Sequence, residues 1–180
     1  MQGNGESSYR RFLQGDKAAL EELVCAYSDK LVRYACCFVR DIAAAEDIAE
    51  DAFVALIVKR RRIRGGEAGL KAYLFKTARN RCYDYLRRTK RQVQLEDAVS
   101  TENPETLFEI RDRDRILYAA LKSLPPQYRD TLYLAYFEDF PAERIATVLG
   151  RTKKQVYNLL ARAKAALRQR LERENFHENV

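Results

Sequence analysis

The 180-residue chain has no tryptophan, one histidine, one methionine, four prolines and seven glycines. So few turn formers argue against an all-β architecture with its many tight turns. The one histidine, His177, stands in the polar end NFHENV, where it reads as a solvated end residue and a poor general base. Neither GxGxxG nor GxxxxGK occurs, which removes the glycine-rich phosphate loops of nucleotide-binding enzymes. No apolar run approaches the roughly 20 residues that a membrane-spanning helix needs. The opening MQGNGESSYRRFLQG also lacks the apolar core of a signal peptide. A cytoplasmic protein with no direct membrane insertion is expected. The four cysteines, Cys25, Cys36, Cys37 and Cys82, show neither CxxC nor mixed Cys/His ligand spacing. They fall in apolar-periodic stretches, where a thiol packs as a small hydrophobe, so buried thiols and no metal site are expected.

Charge is plentiful. The chain carries 33 Lys plus Arg against 26 Asp plus Glu, a net +7, and 33 % of its residues are charged, against about 25 % in an average soluble domain. Long helices with solvated faces follow from that composition. The charge also alternates along the chain. Residues 1–58 sum to −4, residues 59–93 to +11, residues 94–110 to −5 and residues 111–180 to +5. A basic functional surface followed by an acidic connector divides the chain into two small helical domains, 1–93 and 111–180, joined by a flexible acidic linker over 94–110. The expected fold class is all-α.

In the first half, Leu20, Leu23, Val24, Tyr27, Leu31, Ala35 and Phe38 recur at three- and four-residue steps after a candidate N-cap, Asp16. A second helix from about Ile42 keeps Ala45, Ile48, Ala52 and Leu56 on one stripe and gathers Glu46, Asp47, Glu50 and Asp51 in its early turns. Acid there is favourable for the helix dipole by a few tenths of a kcal/mol, up to about 1; a protein-docking role is the alternative. KRRRIRGGEAG, residues 59–69, closes this helix, and a third pattern runs from Leu70 to about Arg91. Leu70, Leu74, Ala78, Cys82 and Tyr85 form its core side. Opposite lie Lys76, Arg79, Arg87, Lys90 and Arg91, joined by Tyr73 and Asn80. Cations neutralise phosphates, an exposed ring stacks on an unpaired base, and an amide bonds a base edge, so this face suits single-stranded or opening DNA. The neighbouring Gly-Gly loop can wrap an extruded base.

The second half carries a sharper motif. A helix over Arg111–Ser123 stops at Leu124-Pro125-Pro126 and restarts, since proline is tolerated in a first helical turn. After Phe140-Pro141 come the short helix AERIATVL, the turn Gly150-Arg151-Thr152 and a long helix from Lys153. Thr152 with Gln155 is a capping box. This is a helix-turn-helix with Ala146 at the helix contact, and Val156, Leu160, Ala163, Leu167 and Leu171 form the core stripe of its second helix. That leaves Lys153, Lys154, Tyr157, Asn158 and Ala161 outward, where a recognition helix presents its N-terminal end to base edges. Arg151, Arg162, Lys164 and Arg168 are placed for phosphates. A helical hairpin with an ordinary solvated face is the alternative reading.

In order and spacing, GDKAALEELVCAYSDKLVRYA, AAEDIAEDAF, YLFKTARNRCYDYLRR and LPPQYRDTLYLAYFEDFPAERIATVLGRTKKQVYNLLARAKAALRQRL resemble bacterial RNA polymerase sigma factors of the extracytoplasmic-function group, over about residues 10–172. The resemblance implies a promoter-specificity subunit with no catalysis of its own. Glu46, Asp47, Glu50, Asp51 and Phe53 match the segment that docks on core RNA polymerase. The Gly-Gly loop with Arg64, and the helix with Tyr73, Lys76, Arg79, Asn80, Arg81, Asp84, Arg87 and Arg88, match the part that captures and opens the promoter −10 element. Arg151, Thr152, Lys153, Lys154, Tyr157, Asn158, Ala161 and Arg162 match the reader of the −35 element. The implied partners are core polymerase, promoter DNA and an anti-sigma factor, with no cofactor, metal or small-molecule substrate. This chain has Ala44 where relatives commonly have Asp, Glu50 where they have Gln, and Val156-Tyr157-Asn158-Leu159-Leu160 where Val-Lys-Ser-Arg-Leu is frequent.

Two rivals compete with that reading. A stand-alone helix-turn-helix regulator binding operators as a dimer leaves the acidic cluster and the +11 segment without a task. A nuclease finds no convergent histidine or carboxylate-metal motif.

Overall fold

The computed structural model describes residues 4–39, 41–59, 63–93 and 112–178, with side chains over 8–39, 41–59, 63–66, 68–91 and 117–172. The expected linker 94–110, Arg60 to Arg62 and the His177 side chain lie outside the described residues. Among the described residues every regular element is a helix. The chain forms two compact units, Met1–Pro104 and Glu105–Val180.

The first unit contains α1 (Asn4–Leu13), α2 (Lys17–Cys36), α3 (Ile42–Lys59) and α4 (Gly66–Val93). Helix α1 lies in a polar stretch where no helix is expected from the sequence. It is held by burial of Tyr9 and Phe12 and by Arg11, which pairs with Asp16 at 2.8 Å and Glu22 at 3.0 Å. As expected, Asp16 caps α2, accepting from the Ala18 N–H at 2.9 Å. Asp41 does the same for α3, accepting from the Ala44 N–H at 3.3 Å.

Helix α2 packs on α1, α3 and α4, and α3 packs on α4. At their meeting point the Tyr34 and Phe75 rings are both fully buried, edge to face at 5.3 Å, and Phe38 lies 5.2 Å from Tyr34 and 5.8 Å from Tyr83. Leu23, Leu31, Leu56, Leu70 and Leu74 complete this core. Each such side chain contributes about 1.5–3 kcal/mol when fully buried.

All four cysteines are free, and three are buried. Cys25 departs from expectation: it is exposed on α2, because the apolar pattern of that helix runs wider than the stripe it buries. Tyr85, expected in the core, is half-buried and lines a cleft described below.

The second unit contains α5 (Asp112–Lys122), α6 (Pro126–Tyr136), α7 (Ala142–Leu149) and α8 (Lys153–Glu178). Pro126 opens α6 at a position where its missing N–H costs nothing. Across the α5–α6 corner, Arg129 donates to the carbonyl oxygens of Leu121 (3.2 Å), Lys122 (2.7 Å) and Leu124 (2.9 Å). It thereby satisfies acceptors that a helix C-terminus leaves open. Leu121, Leu124, Leu132 and Ala163 form the buried cluster, with Phe137, Leu160 and Leu167 packed against it. Tyr133 stacks on Phe137 at 4.9 Å and 11°. Gly150 ends α7 in the left-handed region (φ 63, ψ 39), and the Arg151 N–H returns to the Ala146 carbonyl at 3.0 Å. That is a glycine C-cap of the kind that lets a second helix leave at a sharp angle.

Candidate functional site

Three surfaces gather the residues singled out by the sequence. On α3, Ala45, Ile48, Ala49, Ala52 and Leu56 turn inward, so Glu46, Asp47, Glu50 and Asp51 are exposed together. The first turn of α3 holds no acid. Since the dipole effect fades within that turn, helix electrostatics does not account for this cluster. Phe53, expected among the docking contacts, is 5 % exposed, its ring set in the core behind the acidic face. The same face continues through Val54 and Val58, which are 53 % and 77 % exposed and were not among the residues expected there. Their register after Asp47 and Asp51, at steps of three and four, is the signal that was available.

On α4 and the turn before it, Arg64, Lys76, Asn80, Arg81, Arg87 and Arg88 are exposed. The turn is shaped by two positive-φ glycines, Gly65 (φ 93) and Gly66 (φ 57). Gly69 then passes so near that a Cβ would lie 2.1 Å from the Arg64 carbonyl oxygen. Tyr73 corrects the expectation of a free stacking platform. It is half-buried, its hydroxyl donates to the Ala55 carbonyl at 3.3 Å, and the Lys59 ammonium lies 5.8 Å from its ring centre. Arg79 is likewise half-buried, its guanidinium 4.6 Å over the Tyr83 ring.

Arg81 reaches back to Asp51 at 3.3 Å, tying this basic face to the acidic one, while Arg87 pairs with Asp84 one turn away. Asp47, Asp51, Arg81, Asp84, Tyr85 and Arg88 line a shared α3–α4 cleft of about 210 Å³. A larger cleft of about 760 Å³ opens beside the glycine turn, lined by Arg10 of α1 and Gln14 just after it together with Arg64 and Gly65.

The third surface is the start of α8. The expected capping box is present: the Thr152 N–H donates to Gln155 Oε1 at 2.9 Å and the Gln155 N–H to Thr152 Oγ1 at 3.2 Å. With Val156 and Ala163 buried, Arg151, Thr152, Lys153, Lys154, Tyr157, Asn158, Ala161 and Arg162 are all exposed. Lys153 is not a free cation, because its ammonium bonds the Glu143 carboxylate of α7. That contact holds the Glu143 carboxyl below its usual range and lifts the Lys153 ammonium above its own.

Among the described residues no helix is long and apolar enough to cross a membrane, and no cluster of three or more His, Cys, Asp or Glu is arranged to hold a metal ion.

Adjoining acidic and basic faces in one unit, and a capped helix after a glycine turn in the other, suit a factor that binds nucleic acid and a protein partner. The chain matches Sigma-70 region 2 over residues 23–92 and Sigma-70, region 4 over residues 114–167. It belongs to the sigma-70 family of RNA polymerase sigma factors, in the extracytoplasmic-function group. Its role is that of a DNA-binding transcription initiation factor acting with RNA polymerase. It is 29 % identical to the RNA polymerase sigma-H factor of Pseudomonas aeruginosa, over 87 % of this chain and 88 % of that protein. With the RNA polymerase sigma factor SigV of Bacillus subtilis it shares 26 % identity, over 90 % of this chain and 96 % of that one. Its fold is similar to that of the sigma factor RpoE from Bartonella quintana, solved in complex with the anti-sigma factor NepR. The TM-score is 0.68 at 23 % identity, over 84 % of this chain and 96 % of that chain.

Proposed function

We propose that this sigma factor works through the three surfaces described, each with one task. The exposed carboxylates Glu46, Asp47, Glu50 and Asp51 dock on a cationic surface of core polymerase. Arg64, Lys76, Asn80, Arg81, Arg87 and Arg88 capture the unpaired −10 strand, with Tyr73, Arg79 and Asp84 setting the shape of that face. Arg151 to Arg162 read the −35 duplex. Residues 1–93 thus carry docking and opening, 94–110 act as a tether, and 111–180 read the upstream element. Opening is driven by binding energy alone; the protein has no catalysis of its own and acts in the cytoplasm.

The observation that carries this reading is the acidic face of α3, beyond the reach of the helix dipole and beside a basic face in the same unit. A stand-alone operator-binding regulator has no use for it. The decisive experiment adds purified protein to core polymerase on a genomic promoter library. New start sites with conserved −35 and −10 sequences are expected; initiation unchanged by the protein overturns the proposal. Asp47→Lys with Asp51→Lys should weaken polymerase binding at least tenfold while α-helical content is retained. Affinity for promoter DNA should fall by about 0.9 log units per log unit of salt for each phosphate contacted. We infer in addition that an anti-sigma factor holds the protein inactive, a reading supported by RpoE of Bartonella quintana having been solved with one.

A further inference from the structure

The exposed end of α8 is less cationic than its sequence suggests. Lys153 is engaged with Glu143 across the turn, and its ammonium also stands 5.8 Å from the centre of the Tyr157 ring. Tyr157 is 54 % exposed, and it is the one large hydrophobic side chain of α8 so exposed among the described residues. An aromatic ring left in water contributes nothing to the core of its own unit. Ala161 is exposed one helical turn further along the same stripe, and Asn158 is exposed beside it. The helix therefore offers an apolar strip at steps of four, flanked by an amide.

Base edges in the major groove are polar with one exception. The C5-methyl of thymine is the apolar group that a ring or a small alkyl side chain can cover, whereas guanine presents two acceptors that call for Lys or Arg. Asn pairs with adenine through N6 and N7. Resting on the reading of α8 as the −35 helix, we propose that Tyr157, continued by Ala161, recognises thymine methyl groups and that Asn158 reads an adjacent adenine. The step facing this strip is then an A·T step, with Lys154, Arg151 and Arg162 left for phosphates.

The test uses holoenzyme assembled from the full chain and core polymerase, with duplex DNA randomised through the −35 region. The wild type is expected to select thymine at one or more positions. Replacing that thymine by deoxyuridine, which removes only the methyl, should weaken binding about fourfold, the value of one buried methyl-sized group. At one such position Tyr157→Ala should bind thymine and deoxyuridine equally, and Tyr157→Phe should keep the preference there. If the wild type prefers a −35 sequence but ignores the methyl, or if Tyr157→Ala discriminates as the wild type does at every position, the methyl-reading proposal is wrong and α8 remains the reader. If the wild type selects no −35 sequence at all, α8 is not the reader and both ideas fall.

Discussion

The two units of the chain draw on different contacts to shape the faces they present. The first is held by contacts between residues distant in sequence: Tyr34 against Phe75, Tyr73 bonded to Ala55, Arg81 against Asp51. The second takes much of its shape from chemistry within a few residues: Pro126 opening α6, Gly150 closing α7, Thr152 and Gln155 starting α8. A surface built on remote packing is sensitive to volume in the core. One built on caps is sensitive to single polar atoms at its edge, and its recognition face can be lost while the unit stays folded.

Phe75→Ala should break the first unit most severely. The ring is fully buried, so about 3–5 kcal/mol is expected to be lost, measurable as earlier urea unfolding and faster amide exchange across α2 and α4. An unchanged exchange pattern would show that the aromatic cluster is not its keystone. Next in size, Gly69→Ala pushes a methyl to 2.1 Å from the Arg64 carbonyl oxygen. The turn must then rebuild at a cost of about 2–3 kcal/mol, and the basic face should lose its hold on opened DNA. Thr152→Ala, by contrast, should remove about 1 kcal/mol through the lost cap. Its main effect should be fraying at the start of α8, seen as weaker −35 discrimination with little change in overall melting.

The smallest effect is electrostatic. Glu143 titrates below its ordinary value of 4.5 because it bonds Lys153, and Asp16 and Glu22 are lowered by their hydrogen bonds to Arg11 and Ser8. A carboxyl depressed in the folded state adds stability above its unfolded pKa and loses it as pH falls through the folded value. Stability should therefore decline below about pH 4.5, and the decline should be shallower in Glu143→Gln, as followed by pH-dependent thermal unfolding. The same variant frees Lys153, so its DNA affinity should depend on salt more steeply, by about 0.9 log units if one phosphate contact is gained. An unchanged slope would mean that Lys153 stays out of reach of the backbone.

Much of this was legible from residues a few positions apart. The α8 cap, the glycine turn, the Pro126 restart and the exposed acids of α3 all follow from spacings of three to seven. Spacing could not reveal partners brought together by the fold. The acceptor of the Tyr73 hydroxyl is 18 residues away, so a ring that looks like a free platform in sequence proves to be a joint between helices. Lys153 looks like a base reader until Glu143, ten positions back, is found beside it. Helix α1 was missed because its polar composition hides two buried rings, and Cys25 was misplaced because α2 has more apolar positions than neighbours to cover them.

Arg129, at the α5–α6 corner, makes bonds of another kind as well. The three acceptors described for it are peptide carbonyls, which have no proton to gain in mild acid, and a guanidinium has none to lose below strong alkali. As acid discharges the paired carboxylates elsewhere, this latch stays shut. These three carbonyl bonds are thus indifferent to acidity, and lysine, with one nitrogen in place of a fork, cannot make all of them.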